Sequence, residues 1–189
     1  MISPLAYIHP EAKIGENVEI GPFVFIDKNV EIGDNNVIMP NATILYGSRI
    51  GNGNRIFPGA VIGAIPQDLK FRGEETTAEV GDNNTIRENV TINRGTAAKG
   101  ITEIGDNCLI GRSKTGYHAG MPFYTTILND GLHSDVCIGN NCRINGAYIH
   151  AKESIQIGDN CVIASGVNII DSNGHETYSL DRTIGRDSP

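Results

Sequence analysis

The chain has 189 residues, with 15 Lys and Arg against 22 Asp and Glu for a net charge of −7, 23 glycines, no tryptophan and 6% aromatic residues. An acidic chain without basic clusters argues against nucleic-acid partners and against adsorption on anionic membranes, while a local basic cleft for a phosphate ligand stays open. No apolar run approaches the ~18–20 residues that span a bilayer, and the opening Met1-Ile-Ser-Pro lacks a charged leader, so a cytoplasmic chain without a membrane span is expected.

From Ile8 to Ile62 an isoleucine stands at every sixth position: Ile8, Ile14, Ile20, Ile26, Ile32, Ile38, Ile44, Ile50, Ile56 and Ile62. A helix repeats its apolar residues every ~3.6 positions and a strand every ~2, so a strict six requires a repeating turn-and-strand unit. The unit runs Ile-Gly-x-x-small-x, as in Ile14-Gly-Glu-Asn-Val-Glu and Ile32-Gly-Asp-Asn-Asn-Val. Three such hexads close one triangular coil, coils stack at the strand spacing of ~4.8 Å, and each isoleucine points into the axis. Burying each of these side chains stabilises by roughly 1.5–3 kcal/mol. The fourth place after the isoleucine also faces inward, so it is predicted to be small; Val18, Val24, Val30, Ala42, Ser48 and Ala60 comply. The glycine after each isoleucine is expected to supply the positive φ of the turn.

Further along, the repeat pauses over Gly63–Glu79, where Pro66, Gln67, Asp68, Lys70 and Arg72 form a polar connection, and resumes at Val80, Ile86 and Ile92. Such interruptions are where repeat proteins carry function. A short excursion over Ala97–Thr102 precedes Ile104 and Ile110. The longest break, Gly111–Asp135, includes a stretch with strand character at Phe123–Leu128. Hexads return at Ile138 and Ile144 in a second register, slip by one residue, and finish at Ile157, Ile163 and Ile169 in a third. About eight coils with two inserted loops are predicted.

Cys108, Cys142 and Cys161 each occupy the small inward place of a hexad, which reads as packing. Cys137 and Cys142 have no second ligand pair nearby, so no metal site is expected.

Hexads of this kind resemble the hexapeptide-repeat acyltransferase superfamily. The resemblance implies an all-β, left-handed parallel β-helix that assembles as a homotrimer. Over residues 1–107 the resemblance narrows to the UDP-N-acetylglucosamine acyltransferase of lipid A biosynthesis. It is carried by Ile8-His9-Pro10, by Ile62-Gly-Ala-Ile-Pro-Gln67-Asp68-Leu69-Lys70-Phe71-Arg72-Gly73-Glu74 and by Ile86-Arg87-Glu88-Asn89-Val90-Thr91-Ile92-Asn93-Arg94-Gly95-Thr96. By that resemblance Gln67, Asp68 and Lys70 hold a nucleotide-sugar acceptor and the acyl chain, the donor is an acyl-carrier-protein thioester, and no cofactor or metal is bound. A carboxylate suits sugar or uracil donors, and an ammonium suits a phosphate or carbonyl. The family's base lies in a His-x-x-His-Asp hexad shortly after the Asn-Arg-Gly-Thr coil, and no such motif occurs here.

Residues 108–189 are similar instead to sugar O-acetyltransferases that use acetyl-CoA, through Ile144-Asn145-Gly146, Ile155-Gln156-Ile157-Gly158-Asp159-Asn160 and Val167-Asn168-Ile169-Ile170-Asp171-Ser172-Asn173-Gly174-His175. That resemblance assigns His175 as the base and Asp171 as the group that orients it; imidazole suits the task because it titrates near neutrality. Two units, 1–107 and 108–189, are therefore expected, joined between compatible coils as in a fusion and ending before a full acetyl-CoA groove. Three functions follow: acyl transfer to UDP-N-acetylglucosamine, a catalytically silent trimeric scaffold, and acetyl-CoA-dependent O-acetylation of a sugar. A stable trimer with little or no transferase activity is expected.

Overall fold

A computed structural model describes residues 1–66, 71–96, 100–111, 125–129 and 134–172. Among them the chain forms 22 short strands in three all-parallel sheets of eight, seven and seven strands. Successive strands visit the three sheets in turn, which makes a triangular prism. The first sheet starts at Tyr7–Ile8, the second at Lys13–Ile14 and the third at Glu19–Ile20. The axis is the predicted column: Ile26, Ile44, Ile56 and Ile62 are fully buried, and the small-place residues Val18, Val24, Val30, Ala42, Ser48 and Ala60 are buried with them.

Stacking also resolves the three sequence registers. Ile44, Ile62, Ile92, Ile127, Ile149 and Ile169 pair in one continuous column on the first sheet. Neighbouring coils are 18 residues apart in the regular part but 30 and then 35 apart where connections intervene. The isoleucine pairing continues across these intervals, so a change of phase along the sequence does not interrupt the column in space. Two strands stand where the sequence reads as a break. Thr126–Asn129 lies inside the predicted Gly111–Asp135 gap and ends one residue beyond Leu128; Phe123 and Tyr124, the first two residues of the expected stretch, lie outside the described residues. Tyr148–Ala151 fills the one-residue slip after Ile144. The connection expected over Gly63–Glu79 narrows to 65–76, because Val61–Ala64 and Thr77–Val80 are strands.

Two details of the repeat differ from expectation. At most coils the positive φ falls on an asparagine two residues past the glycine, as at Asn17, Asn35, Asn83, Asn107, Asn141 and Asn160. The glycine after the isoleucine is needed for close approach instead: a Cβ at Gly15 would lie 2.6 Å from the Gly33 carbonyl carbon, and one at Gly51 would lie 2.8 Å from the Gly81 oxygen. Nor is the inward place always small. Asn36, Asn54 and Asn84 are fully buried there, and the Oδ1 of each accepts the backbone N–H of the next coil at 2.8, 2.8 and 2.7 Å.

Candidate functional site

The first sheet carries the connections that interrupt the repeat. Among the predicted site residues, Gln67, Asp68, Lys70 and His175 lie outside the described residues. Asp171 is described, directly after the strand Asn168–Ile170. Its carboxylate accepts the backbone N–H groups of Lys152 at 2.6 Å, Glu153 at 2.8 Å and Ser154 at 2.7 Å. These amides belong to the corner between Tyr148–Ala151 and Ser154–Ile157, where the hexad phase slips. Asp171 therefore closes an irregular corner of the neighbouring coil.

Both ends of the 65–76 connection meet the turn after Thr91–Asn93. The Asn93 Nδ2 donates to the Ile65 carbonyl at 3.0 Å, and the Arg94 N–H donates to the Ala64 carbonyl at 3.0 Å. The Gly95 N–H reaches the Thr77 carbonyl at 3.3 Å. Arg94 is 93% buried, with 7% of its surface exposed, and its guanidinium carbon lies 5.1 Å from the ring centroids of both Tyr46 and Phe71. Burial pushes its pKa down, opposed by Tyr46 and Asp27. Within the connection, the Arg72 N–H donates to Glu74 at 2.7 Å, a bond that helps hold the Glu74 carboxyl below the usual carboxylate range.

The next coil on this sheet is Thr126–Asn129, in register with the strand below through Thr91↔Thr126 and Ile92↔Ile127. Asn129 is fully buried and saturated with bonds. Its Nδ2 donates to Ile101 O at 2.9 Å and Ser134 O at 2.8 Å, its Oδ1 accepts the Ser134 hydroxyl, and its carbonyl accepts the Thr96 hydroxyl at 2.6 Å. One coil further, His150 pairs with Leu128 in the ladder, and its Nδ1 lies 3.3 Å from the Tyr148 hydroxyl.

Asn129 and His150 escape a reading by hexads. Neither belongs to an Ile-Gly unit, and the strands that carry them follow connections of irregular length.

On the second sheet, a shallow groove of about 740 Å³ is lined by Lys13, Glu31, Arg49, Glu79, Glu103 and Asn140, with Asp171 not among its walls. Among the described residues no cluster of His, Cys, Asp or Glu is arranged to hold a metal ion, and no helix is long and apolar enough to cross a membrane.

Comparison with known proteins gives the family of the chain. Residues 2–66 match the model of the GMPPB C-terminal domain. A search of curated proteins finds no match. Among solved structures, the chain is similar to the UDP-N-acetylglucosamine acyltransferase of Bacteroides fragilis at 49% identity, with 89% of this chain and 68% of that one covered and a TM-score of 0.55. The chain belongs to the UDP-N-acetylglucosamine acyltransferase family.

The left-handed winding expected of the coils goes with that membership. The Francisella novicida enzyme is similar at 30% identity, covering 89% of this chain and 62% of that one, with a TM-score of 0.61. The Moraxella catarrhalis enzyme follows at 27%, covering 89% and 66%, with a TM-score of 0.62. The chain thus spans about two thirds of the length of these acyltransferases.

Proposed function

We propose that this acyltransferase-type β-helix binds a UDP-N-acetylglucosamine acceptor at the 65–76 connection, through Gln67, Asp68 and Lys70, and turns it over far more slowly than a family member with a histidine base. The observation that carries this reading is the strand Thr126–Asn129, which stacks on Thr91–Asn93 and is followed in sequence by Asp130. No histidine stands in this strand, which is the next coil on the sheet after Asn93-Arg94-Gly95-Thr96, and the chain has no His-x-x-His-Asp hexad.

A carboxamide takes no proton near neutral pH, and the Asn129 amide is already committed to Ile101 and Ser134. A positioned base contributes ~10²–10⁴-fold to such a reaction, so its loss lowers turnover by about that factor and leaves acceptor binding in place. Acyl-carrier-protein thioester remains the donor this reading favours, and a homotrimer its assembly.

A second reading is favoured by the fixation of Asp171. Three amides hold its carboxylate, so the segment leading to His175 starts from a fixed point. In that reading His175 is the base of an acetyl-CoA-dependent O-acetyl transfer, and Asp171, its carboxylate held by these amides, anchors the chain ahead of it. Calorimetric titration with UDP-N-acetylglucosamine tests the first reading: wild type binds, while Asp68→Ala and Lys70→Ala each weaken binding ~10-fold or more, as loss of a charge-assisted hydrogen bond requires. Absence of binding in wild type would refute the acceptor assignment.

A further inference from the structure

We infer that Arg94, with Asn93, is a positioning residue that fixes both ends of the 65–76 connection to the prism. Its consequence for binding rests on the acceptor reading above; its structural content does not.

Asn93 and Arg94 follow the column residue Ile92, at the point where a regular hexad would turn a corner into solvent. Both are buried instead. The start of the connection is tied by hydrogen bonds, with Ile65 O accepting from Asn93 Nδ2 and Ala64 O from Arg94 N. Its returning part is tied by a ring, since Phe71 lies against the Arg94 guanidinium at 5.1 Å, and its far end by the Gly95 N–H, next to Arg94, to the Thr77 carbonyl at 3.3 Å. The same guanidinium lies 5.1 Å from Tyr46, which belongs to a coil closed before the connection begins. One side chain thus joins the body of the prism to the returning end of the connection, while its own backbone and its neighbour hold the leaving end.

The chemistry at Arg94 argues for this use and against simple packing. A guanidinium is costly to bury, and among the described residues no carboxylate forms an ion pair with it. Its buried Nε has no hydrogen-bond partner. What the side chain gains at this place is contact between its planar cation and two aromatic faces, for which arginine is better suited than lysine. An aliphatic residue would fill the volume without desolvating a charge, but it would not bind both rings in this way.

The test uses the full chain with Arg94→Met, which keeps apolar bulk, and Arg94→Lys, which keeps charge. Backbone hydrogen exchange in peptides covering residues 71–76 is expected to rise ~10-fold in Arg94→Met and by less in Arg94→Lys, with the strands Thr43–Ile44 and Thr85–Ile86 unchanged. The dissociation constant for UDP-N-acetylglucosamine is expected to rise in parallel. Unchanged exchange over 71–76 in folded Arg94→Met overturns the inference. So does loss of protection in the strands, which would make Arg94 a member of the stack rather than a brace. Equal affinity of wild type and Arg94→Met for the nucleotide sugar overturns the consequence for binding, while raised exchange over 71–76 still upholds the brace. If wild type itself fails to bind, the acceptor reading falls and the exchange result alone decides the brace.

Discussion

Asparagine and cysteine perform the same task along one edge of the prism. The buried column runs Asn36, Asn54, Asn84, Cys108, Cys142, and the first four members accept the backbone N–H of the next, through Oδ1 in the three asparagines and through the Cys108 Sγ, which takes the Cys142 N–H at 3.4 Å. Asn36 also donates to Gly51 O at 2.8 Å; Cys108 and Cys142 donate to Gly139 O and Gly158 O, both at 3.2 Å. The thiol, small and able both to donate and to accept, continues the ladder that the carboxamide begins. Burial pushes the Cys108 thiol from its ordinary 9.0 up to about 11. A native thiol with a raised pKa contributes stability that is complete below the unfolded value and is lost as pH rises through the native one. Wild type should therefore lose ~2–3 kcal/mol more than Cys108→Ala between pH 9 and pH 11 in denaturant titrations, an equal loss contradicting it. Thiol reagents at neutral pH should label Cys137 and Cys161, which are partly exposed, and leave Cys108 and Cys142 until the chain unfolds. A second residue-scale expectation concerns Phe23, which holds a φ of 60° at a corner place where other coils use asparagine and is largely exposed. Phe23→Asn should raise stability by ~1 kcal/mol, because asparagine tolerates the left-handed region and phenylalanine does not; a lower melting temperature would contradict this.

Coils and connections behave differently at the scale of elements. Replacing Ile38, fully enclosed in the axis, by Asp places an uncompensated carboxylate in a dry column and should cost several kcal/mol against a total stability of ~5–15. An unchanged melting temperature would show that Ile38 does not face the axis. At the irregular strand Thr126–Asn129, Asn129→Ala leaves the carbonyls of Ile101 and Ser134 without their donor, a loss of ~1–3 kcal/mol that chemical denaturation would read directly. The two cases also mark what was legible beforehand. The isoleucine column and the corner prolines, glycines and asparagines repeat at fixed spacing, so the prism and its inward face could be read from residues 8 to 62. Thr126–Asn129 and Tyr148–Ala151 could not, because the number of residues between coils varies once connections intervene and neither strand ends in Ile-Gly. The role of the glycine is hidden from the sequence for a related reason: close approach between coils is a property of the stack, absent from any single hexad. The proposed acceptor residues Gln67, Asp68 and Lys70 rest on resemblance alone, whereas the proposed brace at Arg94 needs the fold, since only the fold brings Tyr46, Phe71 and Arg94 together.

At the scale of the whole molecule, the prism offers flat faces and two ends. Its outer surface carries Leu5, Tyr7, Phe23 and Phe25 exposed on adjacent coils, with the Tyr7 and Phe25 rings stacked at 5.1 Å, and such patches commonly mark contact surfaces. The homotrimer proposed for this chain gives a light-scattering mass three times the chain's 20.3 kDa; a monomeric mass would remove it. The central claim, a proposal, is that this chain of the family binds its acceptor at the 65–76 connection without the family's His-x-x-His-Asp base. Steady-state thiol release with UDP-N-acetylglucosamine, run in parallel with acyl-carrier-protein thioester and with acetyl-CoA, tests it most directly. With the carrier-protein donor the rate should lie ~10²–10⁴-fold below the ~10 s⁻¹ of a typical enzyme, because that is the factor a positioned base contributes, while the part due to positioning remains. Turnover at ~1 s⁻¹ or faster with that donor, the range of ordinary enzymes, would contradict the claim.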